Sequence, residues 1–264
     1  ATVAGLCVAT PAAAQTEISF WFAMTGALAD RINALAADFN SQQSEYKVVT
    51  SFKGSYAEAL TATIAAARSG NAPDIVQVFE VGTATMMAAK GVIKPVEQMM
   101  KEAGETFDRN AYVPAVAGYY TARNGQMLSF PFNSSTAVFY YNKDAFRKAG
   151  VDKVPETWPE LASAAAKIKA SGAASCSFTT GWQSWIQLEN FSAWHNVPIA
   201  TGNNGFDSSN VKMTVNTPLH VRHVTNLMNW SKTGLFSYAG RSNEPEAKFH
   251  SGDCAMLTSS SAAY

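Results

Sequence analysis

From Ile18 to Lys90 the chain repeats one pattern three times: a short apolar run, a loop, then a stretch of helical periodicity. Ile18–Phe22, Tyr46–Phe52 and Ile75–Phe79 read as strands. Ala27–Asn40, Ala57–Ser69 and Thr83–Lys90 read as helices, the first with Leu28, Ile32, Leu35 and Phe39 on one stripe. A β-α-β-α-β-α order leaves few solutions other than a parallel sheet with crossover helices. In such sheets ligands collect beyond the carboxyl ends of the strands, and that rule alone selects Met24, Tyr56 and Glu80.

The remainder continues as α/β. Lys94–Phe107 reads as a helical connection with Met99 and Met100 in the core. The polar run Asn133–Thr136 looks like a crossing between two lobes, ahead of a strand at Ala137–Tyr141. Thr157 followed by Pro159 and Glu160 is a capping box that starts a helix running to about Ala170. Ala174–Phe178 reads as a strand, Val211–Val215 as a short one, Leu219–Lys232 as a helix and Cys254–Thr258 as a last strand. The acid pair Glu244 and Glu246 reads as solvated loop.

Gly181–Trp194 holds three of the six tryptophans. On a helix starting there, Trp182 and Trp185 would share a face near the first turn, offering unpaired N–H groups and indole donors on aromatic walls. Core packing of Trp182, Trp185 and Trp194 is the equal alternative.

Composition narrows function mainly by exclusion. The 264 residues are 47% apolar and 15% charged with zero net charge, so no basic excess points to nucleic acid. Ala1–Ala14 is small, apolar and uncharged; it is expected to be the remnant of a secretory signal, with Ala12-x-Ala14 as the cleavage site. Past it, only Cys176 and Cys254 remain, and in an oxidising compartment they are expected to bond, contributing roughly 4 kcal/mol. His220 and His223 stand at i, i+3 without acidic or cysteine neighbours, so no metal site is expected. No nucleophile, base and orienter set is legible, and no cofactor motif. Hydroxyls and aromatics at Tyr56, Ser135, Trp182, Trp185 and Ser260 suit reversible capture of a polyol, a sugar or a phosphate.

Several stretches carry a resemblance: FWFAMTG, FKGSYAEAL, NAPDIVQVFEVGTATMM, PFNSSTAVFYYNKDAFRKAG, TWPELA, TGWQSWIQLENFSAW, NNGFD and GDCAM. They resemble the maltose-binding-like extracellular solute receptors of bacterial ABC importers, and within them the branch that takes sn-glycerol-3-phosphate. The resemblance implies an α/β fold of two lobes closing on ligand. Residues 1–14 would be signal remnant, 15–131 a first lobe, and 132–264 the crossover with part of a second. It implies ligand contacts at Tyr56, Glu80, Ser135, Trp182, Trp185 and Ser260, with Ser261 competing for the last. It also implies a periplasmic monomer without cofactor or catalysis, whose partners are glycerol-3-phosphate or a glycerophosphodiester and the permease subunits. A sugar receptor of the same fold, or a secreted phosphoester hydrolase, is the alternative. Where the family has Trp-His-Ser-Met, this chain has Trp21-Phe22-Ala23-Met24. Family members run on past Tyr264, so further contacts, including an arginine for the phosphate, are expected beyond it, and weak binding or misfolding by the chain as given.

Overall fold

The computed structural model describes residues 15–89, 91–208 and 210–263. The expectations placed on Ala1–Ala14 lie outside the described residues. Contacts along the chain divide it into two compact units, with the boundary between Phe132 and Asn133.

In the first unit, β1 (Thr16–Phe22), β2 (Tyr46–Phe52) and β3 (Ile75–Val76) form a parallel sheet in the order β2-β1-β3. The register runs Thr16↔Tyr46 to Phe22↔Phe52 and Phe20↔Ile75. The crossovers are α1 (Gly26–Gln42) and α2 (Tyr56–Arg68), followed by α3 (Glu80–Ala88), α4 (Val96–Glu102) and α5 (Pro114–Tyr119). Three sequence expectations change here. The third strand is two residues long; past it the Gln77 N–H still donates to the Trp21 carbonyl at 2.9 Å, and the Gln77 side-chain oxygen accepts from the Ala23 N–H, 3.0 Å away. The Lys94–Phe107 helix shortens to α4, and Met99 is exposed. Of the α1 stripe only Ile32 is buried; Leu28, Leu35 and Phe39 lie open to solvent.

The second unit has β4 (Ala137–Tyr141), β5 (Cys176–Thr180) and β6 (Cys254–Ser260) in the order β4-β6-β5. β6 runs parallel to β5 and antiparallel to β4, with Ala137 opposite Ser260. Cys176 and Cys254 are register partners and form a disulfide with Cα atoms 4.3 Å apart. Around this sheet lie α6 (Lys143–Lys148), α7 (Trp158–Ser171), α8 (Phe191–Trp194), the four-residue turn α9 (Thr201–Asn204), α10 (Pro218–Lys232) and α11 (Glu244–His250). The Thr157–Glu160 capping box is present and starts α7 one residue later, while Gly172 ends it in the left-handed conformation a glycine adopts without cost. Ile168, Phe178, Ala255 and Met256 centre the core. Val211–Val215 supplies one bridge, Ala200↔Met213, rather than a strand. Glu244 and Glu246 are in α11, not in a loop.

Candidate functional site

In the first unit the carboxyl ends of the parallel strands meet a set of aromatic and polar side chains. Ser55 caps α2: its hydroxyl accepts from the Glu58 N–H at 3.4 Å, and the Glu58 carboxylate accepts from the Ser55 N–H at 2.6 Å. That box fixes Tyr56 as the first helical residue, beyond the end of β2. The Tyr56 hydroxyl lies 3.1 Å from Met24 Sδ, at the end of β1. Its ring stacks on Phe79, 5.2 Å between centroids and 3° from parallel. Phe79 directly precedes Glu80, whose carboxylate starts α3 and is exposed at its positive end. The strand-end rule thus collects Met24, Tyr56 and Glu80 around one aromatic stack.

Sequence reasoning missed two residues there. Gln77 is buried and pins the end of β1 through the Ala23 N–H. Tyr120 is half-buried; burial raises its phenol pKa, and the nearby Glu80 and Tyr56 raise it further. Its neighbour Tyr119 packs edge-on against it at 5.3 Å and donates to the Glu80 carbonyl at 2.9 Å. The hint was the Tyr119-Tyr120 pair before a Gly125 turn, but nothing local ties that pair to Glu80. Phe22 and Ala23, where the chain departs from the family pattern, are buried and apolar.

In the second unit, the carboxyl ends of β5 and β6 and the amino end of β4 lie together. Ser135 precedes β4 and is half-buried. Beside it, the Thr136 carbonyl accepts from the Ser261 N–H at 2.8 Å, and the Ser261 hydroxyl accepts from the Thr136 N–H at 3.2 Å. Ser260 ends β6; its hydroxyl accepts from the Ala262 N–H at 3.0 Å, and its carbonyl accepts from the Tyr140 hydroxyl at 2.8 Å. Thr180 stands opposite Thr258, so Gly181 and Trp182 continue past β5 toward the same end as Ser259 and Ser260.

The tryptophan stretch differs from its sequence reading. Trp182 does not lie on a helix with Trp185. Its backbone is left-handed, φ 46°, and the next helical segment begins after it. Its N–H donates to the Ser242 carbonyl at 2.8 Å and that of Gly181 to the Thr258 carbonyl at 2.9 Å, so these two donors are paired, not open. Trp185–Asn190 is a π-helix leading into α8, a rare form that concentrates at functional sites. Trp182 and Trp185 are half-buried; Trp194 is half exposed and packs near Trp158, with centroids 6.4 Å apart.

A buried polar chain underlies this π-helix. Gln187 Nε2 donates to the hydroxyls of Thr180 and Thr258 at 2.9 and 3.0 Å. Its Oε1 lies 2.9 Å from His223 Nε2, and since an amide oxygen only accepts, that nitrogen carries the proton. Phe191 stacks on the same imidazole at 3.8 Å. Burial pushes the His223 pKa down to about 4, helped by His195 and His220. Both ring nitrogens of His220 are engaged, with Ser192 at 2.8 Å and Thr217 at 2.7 Å. These histidines therefore hold packing in place. Among the described residues no group of three His, Cys, Asp or Glu side chains could hold a metal ion, and no helix is long and apolar enough to cross a membrane.

Both α/β units end their strands in hydrogen bonders and aromatics, from the exposed Glu80 and half-buried Ser135 to the buried Ser260. The chain belongs to the family described as Bacterial extracellular solute-binding protein, which it matches over residues 25–264. It is 54% identical over 259 residues to the sn-glycerol-3-phosphate-binding periplasmic protein UgpB of Yersinia enterocolitica, covering 97% of this chain and 58% of that protein. To UgpB of Brucella abortus it is 50% identical, covering 97% of this chain and 60% of the relative. The chain thus spans about three fifths of the length of these relatives. Among solved structures, the GacH receptor of Streptomyces glaucescens aligns with a TM-score of 0.78 at 21% identity, over 93% of this chain and 60% of that one. UgpB from Mycobacterium tuberculosis in complex with glycerophosphocholine aligns with a TM-score of 0.75 at 21% identity, over 93% and 62%. These last two establish the α/β solute-receptor fold.

Proposed function

We propose that this chain belongs to a periplasmic receptor that captures sn-glycerol-3-phosphate, or a glycerophosphodiester, and delivers it to the permease of an ABC importer without transforming it. The observation that carries the reading is the 50–54% identity to two glycerol-3-phosphate-binding proteins over 97% of the chain. The side chains fit it. Glu80 and Tyr56 supply an acceptor and a hydroxyl for a glycerol unit. Ser135 and Ser260 supply hydroxyls, and Trp182 and Trp185 supply aromatic surface for its C–H groups. The hydroxyls of Ser260 and Ser261 each accept from a backbone N–H, of Ala262 and Thr136, so each keeps its own proton to donate to a ligand oxygen. No catalytic step is assigned, and the protein acts as a monomer.

The test is calorimetry with glycerol-3-phosphate, glycerophosphocholine, maltose and inorganic phosphate, alongside a hydrolysis assay on glycerophosphocholine. Binding of the two glycerol phosphates without maltose binding and without turnover is expected. Maltose binding in their place moves the assignment to a sugar receptor, and turnover makes it a hydrolase.

A further inference from the structure

The segment that carries Trp185 is fastened in one unusual register. Trp185–Asn190 is a π-helix, and a π-turn contains a residue more than an α-turn. That extra residue rotates Trp185 by roughly 100° about the helix axis relative to α8, where the buried Phe191 is stacked on the His223 imidazole. Two side chains hold the turn in this form. Asn190 Nδ2 donates to the Trp185 carbonyl at 2.8 Å, tying the last residue of the turn to the first. Gln187 fastens the buried side. Its Nε2 spends both hydrogens, one on the Thr180 hydroxyl and one on the Thr258 hydroxyl, and its Oε1 accepts from His223 Nε2. The Thr258 hydroxyl in turn donates to that of Thr180 at 2.9 Å. Gln187, Thr180, Thr258 and His223 are all buried.

The anchor points of this amide lie beside the candidate ligand groups. Thr180 and Thr258 are register partners on β5 and β6. Thr180 is followed by Gly181 and Trp182, and Ser260 lies two residues past Thr258. The strand ends are close-packed there, since a Cβ on Gly181 would stand 2.6 Å from Ser259 Oγ. One side chain therefore relates the π-turn to both strand ends. Packing alone does not ask for it: apolar groups of the same shape in place of a whole hydrogen-bonded set can leave stability nearly unchanged. What directional bonds add is a single orientation.

We infer that Gln187 and Asn190 are positioning residues for Trp185: together they hold the π-turn that sets its ring at a fixed place relative to Trp182 and Ser260, and the affinity for ligand depends on them through that ring. The inference rests on the solute-receptor reading given above and deepens it, because neither residue needs to touch ligand to act.

The first arm needs no ligand. Fluorine NMR of fluorotryptophan-labelled protein and thermal melts are recorded for wild type, Gln187→Met, Asn190→Ala and Trp185→Phe, the last identifying the Trp185 signal by its loss. Gln187→Met and Asn190→Ala are each expected to move or split that signal. A Trp185 signal unmoved in both overturns the inference, whatever the loss in melting temperature. The second arm titrates glycerol-3-phosphate well below the melting temperature of each variant. Gln187→Met is expected to weaken binding on the order of tenfold and Asn190→Ala about threefold. In a Trp185→Ala background neither substitution should cost more than about twofold further, because the ring through which they act is gone. Weakening of the same size with and without Trp185 overturns the inference, and so does unchanged affinity in a folded Gln187→Met. Should Gln187→Met not fold, Asn190→Ala, which leaves the buried network intact, decides by the same two readouts. Wild type that binds no glycerol-3-phosphate defeats the receptor reading, while the first arm still judges whether these two side chains set the place of Trp185.

Discussion

All seven residues of β6 are buried, whereas in β1, which also sits in the middle of a three-stranded sheet, only Phe22 is. The second unit covers its central strand on every side: β4 and β5 along its edges, α7 and α11 among the helices packed on its sheet, and a disulfide to β5. The first unit has the same alternation of strand and helix but leaves Val49, Phe52 and Ile75 open on its strands and Leu35 and Phe39 open on α1. Strands in parallel sheets are normally covered on both faces. The difference teaches that a βαβ pattern secures the pairing of strands, while stability depends on how much apolar surface the layers remove from water.

Four measurements would break or sharpen that contrast. The largest effect belongs to the cystine: a Cys176→Ala/Cys254→Ala variant is expected to lose about 4 kcal/mol of stability, seen as a lower urea midpoint for the second unit with little change in the first. Equal losses in both units would mean they unfold as one. Next comes pH. The unfolded His223 takes up a proton near pH 6.5 and the folded one only near pH 4, so the unfolded state binds more protons in between. Stability of the second unit should therefore fall as pH drops from 6.5 to 4, by about 3 kcal/mol in total, and level off below. Urea titrations of wild type and His223→Gln across that range check it; the variant should lose most of the slope.

Smaller again are the tryptophans. Trp182→Ala and Trp185→Ala are each expected to weaken glycerol-3-phosphate binding by about 1–3 kcal/mol in a calorimetric titration. Unchanged affinity in both would return the rings to packing. The smallest effect sharpens the contrast most directly. Leu35→Gln on the open stripe of α1 should change stability by less than about 0.5 kcal/mol, where Ile168→Ala in the second core costs roughly 2–5 kcal/mol. A large loss from Leu35→Gln, read by the same urea melts, would mean the α1 stripe is covered in solution.

Much of the first site was legible because it depends on strand ends. Met24, Tyr56 and Glu80 each follow an apolar run, and a parallel sheet aligns such positions whatever lies between them. The Thr157 capping box was legible for a related reason, since its partners are three residues apart. Tyr120 was not, because its approach to Glu80 depends on the loop that carries α5. The second site was read less well. Spacing put Trp182 and Trp185 on one helix face, but Gly181 and the Ser242 carbonyl bend the chain the other way before the helix begins.

The sequence by itself determined the alternation of elements, the parallel first sheet, the caps and the pair of cysteines left to bond, because these rest on periodicity, neighbouring residues and counting. Only the tertiary structure decided that Glu246 leaves the solvent to accept from the Ser259 hydroxyl, and that Gln187 joins Thr258, 71 residues away, and passes the bond on to His223. A buried polar group must find a partner wherever the fold brings one, and no local pattern records which distant strand or helix that will be.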